Sequence, residues 1–174
     1  AANAIAIGGG NGDSATDNTE KTEATGEKST AIGYNAKAKT ANDLAVGRGA
    51  TSSGGSSTAL GYDATSSGEG SVAIGAGTDA LGAMPAKQVK ATAKNAIAIG
   101  RATQATSQDA TAIGTDATAS NTDAIAIGRK SNASGSTSIG FGYNTQSTAT
   151  NTVAIGTDVS ATADPSNITN VTCL

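Results

Sequence analysis

The feature that most constrains this chain is an apolar residue followed by glycine. It recurs at Ile7-Gly8, Ile32-Gly33, Val46-Gly47, Leu60-Gly61, Ile74-Gly75, Ile99-Gly100, Ile113-Gly114, Ile127-Gly128, Ile139-Gly140 and Ile155-Gly156. The intervals are 25, 14, 14, 14, 25, 14, 14, 12 and 16 residues. A period of 14 dominates, the last two intervals average to it, and each 25 is one period plus 11 inserted residues. Self-similarity at a short fixed period marks a solenoid, in which each repeat is one coil that buries its apolar face only against its neighbours.

Aligned on the anchor, the preceding residue is Ala in nine copies and Ser138 in the tenth, and the one before that is Ile, Val, Leu or Thr. Each coil therefore starts with a strand reading branched, small, branched, Gly. Four residues before the anchor stand Asn3, Asn42, Asn95, Asp109, Asp123 and Asn151, side chains that favour turn geometry and so mark a corner. The glycine marks another corner, through positive φ or through close backbone approach. After it, small residues (Ala36 and Ala38, Ala50 and Ser52, Ala64 and Ser66, Ala117 and Ala119) flank a polar one (Lys37, Thr51, Thr65, Gln104, Thr118, Asn132). That alternation predicts a second strand with one solvated face. The expected fold is all-β: a parallel β-roll, or β-solenoid, of about 14 residues per coil.

Both faces of the first strand are apolar or small, so both need cover. With one Phe, three Tyr and no Trp, a single thin roll buries little, which points to identical rolls packed about a common axis. Branched residues are expected to fill the roll, with Ala45, Ala59, Ala112 and Ala126 lining the subunit contact; the reverse assignment stays open. Ten coils at about 4.8 Å each make a rod of roughly 50 Å.

Composition excludes several functions. A net charge of -3 with interspersed signs offers no basic stripe for nucleic acid and no polybasic membrane patch. No apolar run approaches the length of a membrane helix. Without His, neither a Ser-His-Asp triad nor the usual zinc sets can form, and no enzyme, metal or other cofactor is expected. Cys173 cannot close an internal disulfide; it is either incidental or an intermolecular link. Gly8 to Asp13 resembles a calcium-binding glycine-rich nonapeptide but fails that motif in both frames. The sequons at Asn132, Asn167 and Asn170 carry little weight if the source is bacterial.

Two surface features remain. Directly after the glycine, Tyr34, Arg48 and Tyr62 fall in one column, continued by Arg101, Arg129 and Phe141; the column is either a structural ladder or a ligand-facing stripe. The insertions fall within residues 9 to 28, which are charged, and 77 to 94, which carry Leu81, Met84, Pro85 and the candidate ligand-facing Lys87, Lys90 and Lys94. Loops on a rigid scaffold often carry binding, though a tolerated excursion is equally consistent. An ice-binding array would need aligned Thr, yet the outward position runs Lys37, Thr51, Thr65, Asp79, Gln104.

The strings NAIAIG (residues 3 to 8 and 95 to 100), DLAVG, STALG, SVAIG, DAIAIG and TVAIG resemble the head repeat of YadA-like trimeric autotransporter adhesins. The resemblance implies a left-handed, homotrimeric parallel β-roll over residues 1 to 163. It also implies that Ser166 to Val171, within residues 164 to 174, begins the neck leading to a stalk. It further implies a non-enzymatic head, held at the bacterial surface by an outer-membrane anchor outside this sequence, that attaches to host cells or extracellular matrix. A rigid spacer, with adhesion in other domains, is the alternative.

Overall fold

The computed structural model describes residues 1–9, 21–78 and 87–162, together with the strand Thr172–Cys173. The chain winds into two parallel sheets, one of 11 strands and one of 10, and consecutive strands alternate between them. A coil contributes a three-residue strand such as Leu44–Val46 to the first sheet and a two-residue strand such as Thr51–Ser52 to the second. Coil stacks on coil in register, so that Ala45 lies between Ala31 and Ala59.

Register follows from the corners. All six predicted Asn and Asp corner residues have left-handed backbone, with φ between 55 and 59°, where short polar side chains are tolerated best. At the other corner the stacked glycines have φ between 121 and 143°. A Cβ on Gly47 would lie 2.5 Å from the carbonyl oxygen of Gly61. Positive φ and close approach therefore act together.

The Ala of the first strand faces inward. Ala31, Ala45, Ala59, Ala73, Ala98, Ala112, Ala126 and Ala154 are fully buried, as are inward residues in the second sheet, such as Ala38 and Ala119, and just before its strands, such as Ala36 and Ala50. The branched residues point outward: Ile7 is 56 %, Leu60 41 % and Phe141 51 % exposed. The expectation that branched residues fill the roll is thus corrected. The two sheets pass so close that four small side chains fill a coil, and the branched columns are left on the outside. A half-exposed Ile or Leu forgoes roughly 1 kcal/mol of the burial free energy available to it.

Hydroxyls inside the roll are paired. Ser52 bonds Ser57 at 2.5 Å, Ser66 bonds Ser71 at 2.6 Å and Ser147 bonds Thr152 at 2.8 Å. Asp43, also buried, accepts at Oδ1 from the Gly55 and Ser57 amides at 3.1 Å and the Ser57 hydroxyl at 2.9 Å, and at Oδ2 from the Thr40 amide at 2.8 Å. It ties two adjacent coils together, and its lone pairs are satisfied as a buried carboxylate requires.

Register corrects the ninth repeat. Gly140 pairs with Ala126, Phe141 with Ile127, and Gly142 with Gly156. The anchor of this coil is therefore Phe141-Gly142, not Ile139-Gly140, and the uneven spacing of 12 and 16 becomes two regular coils of 14. The cause is local. A Cβ on residue 140 would stand 2.8 Å from the Ser131 hydroxyl and 3.0 Å from that of Thr145; these two hydroxyls, bonded at 2.7 Å, occupy the room that alanine's methyl fills elsewhere.

The inserted residues are also located by register. Glu23 pairs with Lys37, four residues after Gly33, although it stands fifteen residues after Gly8. Lys90 pairs with Thr65 and Gln104 in the same way. Residues 23 to 28 and 89 to 94 thus belong to regular coils, and Lys90, not Asp79, holds the outward position of its coil. Residues 10–20 and 79–86 lie outside the described residues, as does the expected neck apart from Thr172–Cys173, which pairs in parallel with Val153 and Ala154.

Gly140→Ala should destabilise the roll by about 1–3 kcal/mol through overpacking, and adding Ser131→Ala should recover much of that loss; chemical denaturation of the single and double variants measures both. Gly47→Ala should lower stability by at least about 2 kcal/mol, with no comparable single-residue rescue, because its obstacle is backbone.

Candidate functional site

The chain turns sharply after each stacked glycine, and the next side chain projects from a convex corner. Parallel register puts these side chains one coil apart, close enough for a ring and a guanidinium to stack. Arg48 lies between Tyr34 and Tyr62, its Cζ 5.8 and 5.2 Å from the two ring centroids. Its Nη1 donates to the Tyr62 hydroxyl at 3.0 Å. Two rings and a hydrogen bond hold the guanidinium in place.

The lower part of the column differs from the sequence reading. Because the ninth anchor is Phe141, Phe141 belongs to the outward face of the first sheet, and Tyr143 takes the corner position. Arg129 stacks on Tyr143, 4.5 Å from its centroid. Arg101 has Ala76 and Thr115 as column neighbours and so meets no ring there.

One residue further on lies a column of turn residues: Asn35 (φ 53°), Gly49 (70°) and Asp63 (50°). With Tyr34 and Arg48 they line a notch of about 110 Å³. Gly49 forms its floor; a Cβ there would meet Asp63 Oδ1 at 2.0 Å, so the carboxylate leans over the space that glycine leaves. Asn35 Oδ1 is buried and has no hydrogen-bond partner. Asn35, Gly49 and Asp63 were missed in the sequence because each is an ordinary turn residue; their vertical alignment was the available signal.

Lys87, Lys90 and Lys94 do not converge. Lys87 stands at the glycine corner, 3.6 Å from Asp116. Lys90 is on the outward face of the second sheet between Thr65 and Gln104, and Lys94, at the opposite corner, pairs with Glu69 at 3.2 Å. That corner also carries a small polar ladder: Asn95 Nδ2 donates to Asp109 Oδ1 at 2.9 Å and Gln108 Nε2 donates to Oδ2 at 2.9 Å. The Asn95 bond first, then that of Gln108 and the charge of Lys94, hold the Asp109 carboxyl below its ordinary range.

Both insertions open at the corner that carries the Tyr-Arg-Tyr stack. The first departs after Gly8 and has returned by Thr22, whose hydroxyl donates to the Gly33 carbonyl at 2.6 Å. The second leaves at Thr78 and returns at Lys87, where the Thr78 amide donates to the Lys87 carbonyl at 2.8 Å. The stack lies in the three coils between them. Among the described residues no helix is long and apolar enough to cross a membrane.

A family model described as the YadA head domain repeat (two copies) matches residues 24–50, 52–78, 91–116, 105–131 and 133–158. No curated protein matches the chain.

Arg48→Ala should lower the melting temperature by the equivalent of about 0.5–2 kcal/mol, whereas Arg101→Ala, which has no stacked ring to lose in its column, should leave melting nearly unchanged. Thermal unfolding of the two variants side by side checks the contrast.

Proposed function

Because the chain belongs to the YadA head domain repeat family, a non-catalytic adhesin head module, we propose that it works as a homotrimer on the bacterial surface and attaches to host cells or extracellular matrix. The observation that carries the reading is the outward branched face of the first sheet. Ile7, Ile32, Leu60 and Phe141, with Ile5 and Leu44 beside them, remain more than a third exposed in the single chain. They lie in columns that run along the rod, and a contiguous apolar face of this kind marks an interaction surface.

An identical roll carries an identical stripe at the same coil spacing, so copies of this chain are self-complementary partners. Burying the stripe about a common axis supplies the cover the first strand needs and leaves the second sheet and the corners outside. A rigid rod of this kind displays every surface group three times. Individually weak contacts then combine through a high effective concentration.

The assembly is tested by the mass of the head in solution, which should be that of three chains. Leu60→Asp combined with Ile113→Asp, both on the stripe, should shift it to one chain. Adhesion is tested by binding of wild-type head to immobilised matrix proteins and cultured cells, and the charged variant should lose most of it. A folded monomer that binds as well as the wild type overturns the trimeric reading; a trimer that binds neither surface replaces the adhesin reading with that of a spacer.

A further inference from the structure

We propose that Thr30, Thr58 and Thr111 form three layers of hydroxyls between the copies of the assembled head, and that these layers restrict its partners to chains carrying Thr at the same three heights. The inference rests on the trimeric reading and adds which chains the apolar stripe accepts.

The three residues stand on the outward face of the first sheet, with Ala31, Ala59 and Ala112 fully buried behind them. Each is half-buried in the single chain, and no described residue hydrogen-bonds its hydroxyl. Hydroxyls inside the roll find partners within the chain; these three point the other way, into the stripe. Along their column Thr30 lies between Ile5 and Leu44, Thr58 between Leu44 and Val72, and Thr111 between Ile97 and Ile125. The outward companion within each strand is Ile32, Leu60 or Ile113.

A roll that covers the stripe takes water away from these hydroxyls, so each needs its partner on the covering chain. In register, an identical roll offers one hydroxyl at that height, that of the same Thr. Three hydroxyls around a common axis can close a ring, each donating to one neighbour and accepting from the other. A roll displaced by one coil in either direction presents only Ile, Leu or Val at all three heights. Every hydroxyl is then left unpaired. The same penalty falls on a different chain whose stripe is apolar throughout. Apolar layers supply the attraction but accept Ile, Leu and Val alike. The Thr layers discriminate, as a buried polar residue does when it fixes register in a coiled coil.

The test refolds the wild-type head together with a Thr30→Val, Thr58→Val, Thr111→Val chain under reducing conditions, one of the two carrying a heavy-isotope label, and counts the trimers by native mass spectrometry. Valine keeps the branched shape and the strand preference, so the variant should assemble on its own. In the mixture, a trimer of one wild-type and two variant chains holds a lone hydroxyl in each Thr layer and should fall at least about tenfold below its random-mixing share. A trimer with two wild-type chains, whose hydroxyls still pair, should lose less. The corresponding Thr30→Ser, Thr58→Ser, Thr111→Ser chain keeps the hydroxyls and should mix with wild type at random. If the triple Val chain does not assemble, Thr58→Val with Thr111→Val takes its place and decides by the same count.

Random mixing of wild-type and Val chains, or exclusion of the Ser chain as strong as that of the Val chain, overturns the proposal. A wild-type head with the mass of one chain removes the trimeric reading as well. A wild-type trimer that mixes freely with the Val chain refutes this inference alone and leaves that reading standing.

Discussion

At one corner of every coil a glycine backbone rests directly on the glycine of the next. A Cβ on Gly61 or Gly142 would approach the following carbonyl oxygen to 1.9 Å, so no other residue can hold the position without moving the chain. Because contact is backbone to backbone, the corner has the same height in every coil, and parallel pairing then carries one register through both sheets. The rest of the molecule is arranged around that repeat. Side chains differ from coil to coil, while the places they occupy do not.

A tight corner also brings the two sheets close. The interior accepts Ala, Ser, an occasional Thr and the single Asp43, with Val89 the largest fully buried side chain among the described residues, and each added hydroxyl must find a partner within its own layer or the next. The pairs Ser52–Ser57 and Ser131–Thr145 show how this is met. The residues with most burial free energy to offer face outward. A globular domain keeps its branched side chains within; this roll keeps them on a face that another roll can cover, which is why its stability and its assembly are physically linked.

The same regularity makes the surface a ruled grid on which function can be written by small departures. A ring, a guanidinium and a ring in successive coils become a stack, and a glycine among turn residues becomes a notch. An 11-residue excess is accommodated between two coils whose strands still pair in register. The two insertions and the Tyr34–Arg48–Tyr62 stack share one corner because this is where the glycine turn ends and the second strand has not yet begun. Extra residues there cost the ladder nothing.

The sequence by itself determined the coil, its period of 14, both corners, the alternation of the second strand and the Tyr34–Arg48–Tyr62 column, because each is a local preference repeated often enough to exceed chance. Tertiary structure decided which face of the first strand lies inside. That depends on the distance between the sheets, which no single strand encodes, and Ala and Ile alternate equally well in either orientation. It also decided the register at Gly140, where a hydroxyl pair contributed by Ser131 and Thr145 displaced a methyl. The notch was decided there too: Asn35, Gly49 and Asp63 stand fourteen residues apart in sequence, and only stacking makes them neighbours.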